Sequence, residues 1–285
     1  MTKSPTHLAL TALLLAGSTT ACDAEAPGAA PIDYRAVGHV DLDAVKGAPW
    51  MKDALKDGKL EVDGQLGPCA DVIQQTQALS FGANEDAFEV YLEGSFDAAQ
   101  ANACIDHLDA HVATRPPRGD HPKPEATLMA EGVLVVFGGD LTPSRDRLDG
   151  LLAADPSGGQ ALWIAANMKG KEQPIESVVA WADPSKGLSA HAELRFVDEA
   201  KAAETYGKAT LGLTALSLSD EVGDLASAVS LGSSGKSLSA DLSLSPKQMK
   251  TLVAKGKERH QAHARFHAGH PSHGESGVEI RFESE

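Results

Sequence analysis

The chain has 285 residues, of which 42% are hydrophobic, 5% aromatic and 23% charged, and its net charge is −15 at pH 7. This composition is typical of a globular protein with a core and unlike that of a disordered acidic chain. The acidic balance argues against nucleic acid as a partner, because binding a polyanion requires Lys and Arg to neutralise phosphates.

The chain begins with the layout of a secretory signal peptide, which we assign to residues 1–21. Lys3 precedes the apolar stretch Leu8–Gly17, and small and polar residues then lead to Cys22. This arrangement resembles a bacterial lipoprotein signal, in which the cysteine is lipidated and becomes the first residue of the mature protein, although Thr19 stands where leucine is usual. We therefore expect a lipid on Cys22 to anchor the protein to a bacterial membrane of the cell envelope, facing the periplasm or the exterior.

Four regions are predicted after the signal peptide. Residues 22–36 comprise the lipidated N-terminus and a flexible tether, since residues 23–33 are rich in Ala, Pro and Gly. Two lobes follow at 37–156 and 157–255, and residues 256–285 form a His-rich C-terminal tail.

The two lobes are predicted to repeat one structural unit. A shift of 100 positions places Phe88–Phe96 on Leu188–Phe196, and a shift of 101 positions places Asp140–Ala153 on Asp241–Ala254. The matching segments occur in the same order, which indicates an internal repeat.

Each lobe has the predicted pattern β-α-β-β-α-β-β-α. Apolar and polar residues alternate in Leu188–Phe196, for example, as expected of a half-buried strand. Helices are expected after the N-capping residues Asp97 and Asp198. The strands are expected near residues 37–42, 77–83, 87–95, 126–131 and 133–138, and then near 161–166, 177–182, 187–196, 226–232 and 236–244.

These elements predict an α+β fold with two pseudo-repeated lobes of antiparallel sheet and helices packed on one face. Short turns between strand pairs favour antiparallel hairpins, and one-sided strands need helices on only one face. Thr142-Pro143 and Ser245-Pro246 are expected to open the last helix of each lobe. Val133–Phe137 is apolar throughout and is therefore expected to be buried on both faces.

Cys69 and Cys104 remain once Cys22 is assigned to the signal. An even pair in an oxidising compartment indicates one disulfide. Two unpaired buried thiols are the alternative, and metal ligation by the pair is disfavoured because the spacing is not that of a CxxC site.

Two segments resemble a group of uncharacterised bacterial envelope lipoproteins. One is the GPCADV segment Gly67–Val72 ahead of a strand, and the other is EGSF followed by a helix with a second cysteine, Glu93–Cys104. The similarity covers mainly residues 37–250. It implies the pairing of Cys69 with Cys104 and implies no catalytic residues.

The C-terminal tail contains five of the eleven histidines. His260, His263 and His267 would share one face if a helix extended to them, and imidazoles so placed suit Zn²⁺, Ni²⁺ or Cu²⁺. The flanking glycines and proline disfavour a rigid cage, so a solvated tail is the alternative. The candidate ligands are His260, His263, His267, His270 and His273.

No catalytic motif stands out in the sequence. Gly232–Ser237 contains GKS, but a phosphate-binding loop requires a glycine where Ser230 stands and a helix after the loop. We expect a hairpin turn there instead.

The leading hypothesis is a lipid-anchored, non-enzymatic binding or scaffolding module for an unknown envelope protein or small ligand, with no bound cofactor. A groove between the two lobes is the expected place for an apolar or peptide ligand. The alternatives are a periplasmic metal-binding protein that uses the histidine tail, and a hydrolase whose site is not recognisable in the sequence.

Overall fold

The computed structural model describes residues 34–51, 66–114, 122–168, 174–218 and 223–254. The described strands are β1 Ala36–Asp41, β2 Thr76–Ala83, β3 Phe88–Gly94, β4 Pro124–Ala130, β5 Val133–Gly138, β6 Leu162–Asn167, β7 Ile175–Asp183, β8 Leu188–Phe196, β9 Val229–Ser234 and β10 Ser237–Leu244. The described helices are α1 Leu42–Gly47, α2 Cys69–Gln75, α3 Ala98–Thr114, α4 Arg145–Ala153, α5 Glu199–Ser217, α6 Gly223–Ala226 and α7 at residues 246–254.

All of these strands belong to one antiparallel sheet, in the order β4-β5-β3-β2-β1-β6-β7-β8-β10-β9. β1 and β6 pair with each other at its centre, so the two predicted lobes are halves of one continuous sheet. The predicted α+β class is confirmed. Every predicted strand coincides with an observed one to within three residues at either end.

The two halves of the sheet have the same strand order. From the centre outward, the first half is β1, β2, β3, β5, β4 and the second is β6, β7, β8, β10, β9. This is the arrangement that the predicted repeat requires, and the repeat itself stays a prediction. α1 and α2 lie between β1 and β2, whereas residues 168–174 separate β6 from β7. The helix predicted between β6 and β7 falls on this segment, of which residues 169–173 lie outside the described residues.

Helices lie on both faces of the sheet, which corrects the expectation of a single covered face. Leu134 of β5 packs with Cys104 of α3, whereas Val133 and Val135 pack with Leu148 of α4. Because successive strand residues point to opposite faces, α3 and α4 cover opposite faces of β5. The predicted burial of β5 on both faces is confirmed for Val133, Leu134 and Val135, which are at most 8% exposed.

Capping side chains determine where several helices begin. The carboxylates of Asp97 and Asp198 accept hydrogen bonds from backbone N–H groups three residues further on, as predicted. Ser245 caps α7 in the same way. In the first half, however, Ser144 is the cap of α4, so Thr142-Pro143 precedes the helix and does not open it.

The disulfide between Cys69 and Cys104 is present and joins α2 to α3, with the two Cα atoms 4.5 Å apart. Both residues are buried in a cluster with Val72, Phe96 and Leu134. The predicted pairing is confirmed, and neither free thiols nor metal ligands are found at these positions. In the chain-entropy model, closing this loop stabilises the fold by roughly 3–4 kcal/mol.

A buried polar cluster holds α4 against the sheet. Glu89 of β3 is fully buried, and its carboxylate accepts hydrogen bonds from Arg147 Nε at 2.8 Å, from Tyr91 OH at 3.1 Å and from Tyr34 OH. Burial, together with the neighbouring Glu89 carboxylate, raises the pKa of Tyr91 to about 12. The cluster satisfies an otherwise costly buried charge and ties Tyr34, just before β1, to α4.

Several predicted features lie outside the described residues. They are the signal peptide, Cys22, the tether up to residue 33, and the tail with its five candidate histidines. Within the described part of the chain, no helix is long and apolar enough to cross a membrane.

Candidate functional site

An apolar trough of about 530 Å³ crosses the middle of the sheet. We call it the central trough. Larger apolar side chains border it, among them Phe81, Leu162, Ile164 and Leu242. Its floor is a patch of five alanines on three adjacent strands, namely Ala180, Ala182, Ala190, Ala192 and Ala240.

The trough lies on the face that α5 covers further along the same strands. Leu194 of β8 and Leu238 of β10 pack with Ala202 of α5. Ala192 and Ala240 are two residues away from them and therefore share that face. The floor is only half-buried, so this part of the face is accessible.

The trough exists because the second half has alanine where the first half has larger side chains. In the sheet, the two halves can be matched at Leu92 and Leu194, since each pairs with a buried leucine of the next strand, Leu134 or Leu238. This match is a shift of 102 positions, two more than the shift that the predicted repeat uses for these strands. Through this match and the strand pairings, Phe81, Phe88 and Val90 correspond to Ala180, Ala190 and Ala192.

Phenylalanine rings fill the equivalent surface of the first half. The Phe81 ring lies over Gly38, and the Phe88 ring lies over Gly138, so closely that a side chain at either glycine would collide with it. In the second half, the corresponding alanine methyl groups are too small to form such a layer of side chains over the sheet. The depth of the trough is therefore about that of one missing layer of side chains.

The backbone polar groups beneath the trough are already hydrogen-bonded within the sheet. β1, β6, β7, β8 and β10 each have a hydrogen-bonded neighbour on both sides, so the ladders occupy their backbone N–H and C=O groups. The polar side chains of these strands alternate with the apolar side chains of the floor and point to the opposite face. Three ionisable residues, His39, His191 and Asp241, are also among those that border the trough, but their side chains are on that opposite face.

The opposite face carries a row of rings, which we call the aromatic row: His39, Trp163, Trp181 and His191 on four adjacent strands. Trp181 and His191 stack with their centroids 4.1 Å apart, and His39 stacks with Trp163 at 6.4 Å. His191 Nδ1 lies 2.6 Å from Asp241 Oδ1.

A serine–histidine pair ends the aromatic row, with Ser80 Oγ 2.9 Å from His39 Nδ1. A nucleophilic serine needs such a base within reach. Ser80, however, is only 1% exposed, so a substrate does not reach its hydroxyl. Burial lowers the pKa of His39 against the opposing charges of Asp41, Glu93 and Asp155. We assign the pair a structural role between β1 and β2.

All five predicted metal ligands lie outside the described residues. Within the described ranges, no group of three or more His, Cys, Asp or Glu residues is arranged to hold a metal ion.

Gly232–Ser237 contains a hairpin turn, as predicted, at residues 235 and 236. It joins β9 to β10, with Gly235 at φ +56°. Lys236 Nζ donates a hydrogen bond to the backbone oxygen of Val197 at 2.7 Å. The turn leads into a strand, whereas a phosphate-binding loop leads into a helix.

A groove between the lobes was expected from the sequence, but no residue could be named for it. The signal was present in the alternating alanines of β7 and β8, Ala180, Ala182, Ala190 and Ala192. Alanine at a core-facing position also occurs in ordinary packed strands. Only the pairing of β7 with β8 shows that these small residues are contiguous.

The chain was also compared with known proteins. No protein-family model, no curated protein and no solved structure matches it.

Proposed function

We propose that the protein is a non-enzymatic binding module that holds an apolar ligand in the central trough and is displayed at the cell envelope by a lipid on Cys22. The observation that carries this proposal is the floor of five half-buried alanines on β7, β8 and β10, in the second half of the sheet. Burying apolar surface that is exposed to water lowers the free energy by roughly 25 cal/mol per Å².

The size and lining of the trough support a ligand-binding role. Its volume of about 530 Å³ lies within the range of roughly 300–1,000 Å³ that is usual for small-ligand sites. The first half shows that the same strand arrangement can be filled by its own side chains, through Phe81 and Phe88. The empty layer is therefore a property of the residues in the second half and is not imposed by the fold.

A neutral apolar dye such as Nile red tests the proposal by its fluorescence on binding. We expect saturable binding to the full chain and a loss of at least tenfold in affinity for Ala190→Glu, because that carboxylate would face the trough. Ser189→Glu is the matched control, since Ser189 is the neighbouring exposed residue on the opposite face. Equal dye binding by both variants, or none by the unaltered chain, would contradict the proposal.

A second variant guards against misfolding of Ala190→Glu. Ala192→Val with Ala240→Val introduces the valines that the first half carries as Val90 and Val136, and it makes the trough shallower without a charge. The melting temperature should stay within a few degrees of the unaltered chain, while dye affinity should fall. Unchanged dye affinity in this variant would place the dye elsewhere.

A further inference from the structure

We infer that the ligand of the central trough is a single, unbranched alkyl chain with an uncharged polar end, lying across the strands. This inference rests on the proposed function and names the chemical class of the ligand. Three properties of the trough support it: its proportions, the hydrogen bonding of its floor and its charge.

The trough is long and narrow. Its lining runs from Phe81 of β2 to Val229 of β9, which are separated by six strand spacings in the sheet order, or roughly 29 Å. Along the strands it is much narrower, because each floor strand contributes at most two side chains, such as Ala180 and Ala182, roughly 7 Å apart. Spread over this floor, about 530 Å³ holds one layer of ligand atoms.

These proportions exclude a helix as the occupant. An α-helix with its side chains is roughly 10–12 Å across, which is wider than the floor. A compact ring system would fit the width but would leave most of the length open. A linear alkyl chain is the ligand shape that fills the trough along its length from Phe81 to Val229.

Hydrogen bonding excludes an extended peptide. β1, β6, β7, β8 and β10 are each paired on both sides, and the described side chains that face the trough are apolar, because those of the lining residues His39, His191 and Asp241 point to the opposite face. These strands therefore offer a peptide backbone no free donor or acceptor in the trough. Each buried peptide group without a partner costs roughly 1–3 kcal/mol. An alkyl chain has no such groups and therefore does not incur this cost.

Charge indicates an uncharged end group. The chain has a net charge of −15, and no described Lys or Arg lines the trough. A free carboxylate or phosphate would be repelled and would find no cation there. An alcohol, ester or amide end can remain at the solvent boundary without that repulsion.

The test measures displacement of Nile red from the Cys22→Ser full chain, in which no lipid of its own can occupy the trough. Competitors are 1-alkanols of increasing length, hexadecanoate at pH 8 and cholesterol. We expect affinity to rise about two- to fourfold per methylene, to level off when the alkanol spans the trough, and to be at least tenfold higher for hexadecanol than for hexadecanoate.

A variant at Ala180 tests whether the alkyl chain of the ligand lies across β7. Ala180→Leu should shift the levelling-off to shorter alkanols, because the leucine would interrupt the trough at its central strand, β7. The control Val179→Leu introduces the same residue at the neighbouring position, which faces the other way. We expect it to leave the length dependence unchanged.

The outcomes separate this inference from the proposed function. Three results would overturn the inference and leave the proposed function intact. They are displacement of the dye with no dependence on alkanol length, tighter binding of cholesterol than of any alkanol, and equal affinities for hexadecanoate and hexadecanol. An unchanged length dependence in Ala180→Leu would overturn it as well. Absence of any dye binding would overturn both.

Discussion

Replacing Arg147 by methionine should lower the free energy of unfolding by about 3 kcal/mol. The substitution keeps most of the side-chain volume but removes the guanidinium that donates to Glu89 at 2.8 Å. Glu89 is fully buried, and the Arg147 side chain is only 13% exposed. The variant therefore leaves a buried carboxylate without its counter-charge, which costs roughly 3–5 kcal/mol in proteins.

The lower end of that range is expected because two donors remain. Tyr91 OH lies 3.1 Å from Glu89 Oε2, and Tyr34 OH donates to the other carboxylate oxygen. Neutralising the carboxylate in Glu89→Gln/Arg147→Met should restore part of the loss, which gives a coupling energy of about 1–3 kcal/mol between the two sites.

Urea unfolding followed by far-UV circular dichroism measures these differences. Arg145→Met is the matched control, because Arg145 is on the same helix and pairs with Glu93 and Asp149 while its side chain is 58% exposed. Exposed pairs contribute about 0–1 kcal/mol. If Arg147→Met is no more destabilising than Arg145→Met, or if the double variant is strictly additive, the buried cluster does not stabilise α4 as argued.

Four further predictions concern other parts of the chain. The pKa of Tyr91 is raised to about 12, so between its ordinary value near 10 and about 12 the folded state binds more protons than the unfolded state. Stability should therefore fall as pH rises through that window, and the fall should be smaller in Tyr91→Phe; equal pH profiles of unfolding would refute this. Changing Cys69 and Cys104 to alanine should lower the free energy of unfolding by roughly 3–4 kcal/mol, and non-reducing mass spectrometry of the unaltered chain should find the two joined; two free thiols would contradict the pairing. Cys22→Ser should release the protein from membranes in cell fractionation, and continued partition with membranes would refute the lipid anchor. Calorimetric titration with Zn²⁺, Ni²⁺ and Cu²⁺ should give weak binding that is lost when the chain ends at Lys255; identical titrations would exclude the tail as a metal site.

The strands and capping residues could be predicted because their signals are local. The alternation in Leu188–Phe196 requires only that one face of a strand be buried, and Asp97 and Asp198 cap helices through contacts three residues away. The capping of α4 was mispredicted because Ser144 and Thr142 are both suitable capping residues. Which of them adopts the extended backbone of a cap depends on where α4 packs against the sheet.

For the candidate site, only its apolar character could be predicted from the sequence. An apolar groove was expected, but it was placed between two separate lobes. The structure instead places it across a continuous sheet, in which β1 of the first half pairs with β6 of the second. The Ser80–His39 contact and the Glu89 cluster were also missed, because, apart from the contact of Tyr91 with Glu89, they join residues 41 to 113 positions apart in the chain.

By itself, the sequence determined the α+β class, the positions of the strands, the double burial of β5 and the candidate disulfide. Each of these depends on the period of apolar residues or on the count of cysteines. Only the tertiary structure decided that all described strands form one sheet, that α4 covers the face opposite α3, and that an alanine floor lies open in the second half of that sheet. These features depend on which distant strands pair and in what register. In the first half, the Phe81 ring lies over Gly38 and fills the surface of the sheet. In the second half, the methyl group of Ala180 leaves the corresponding surface uncovered.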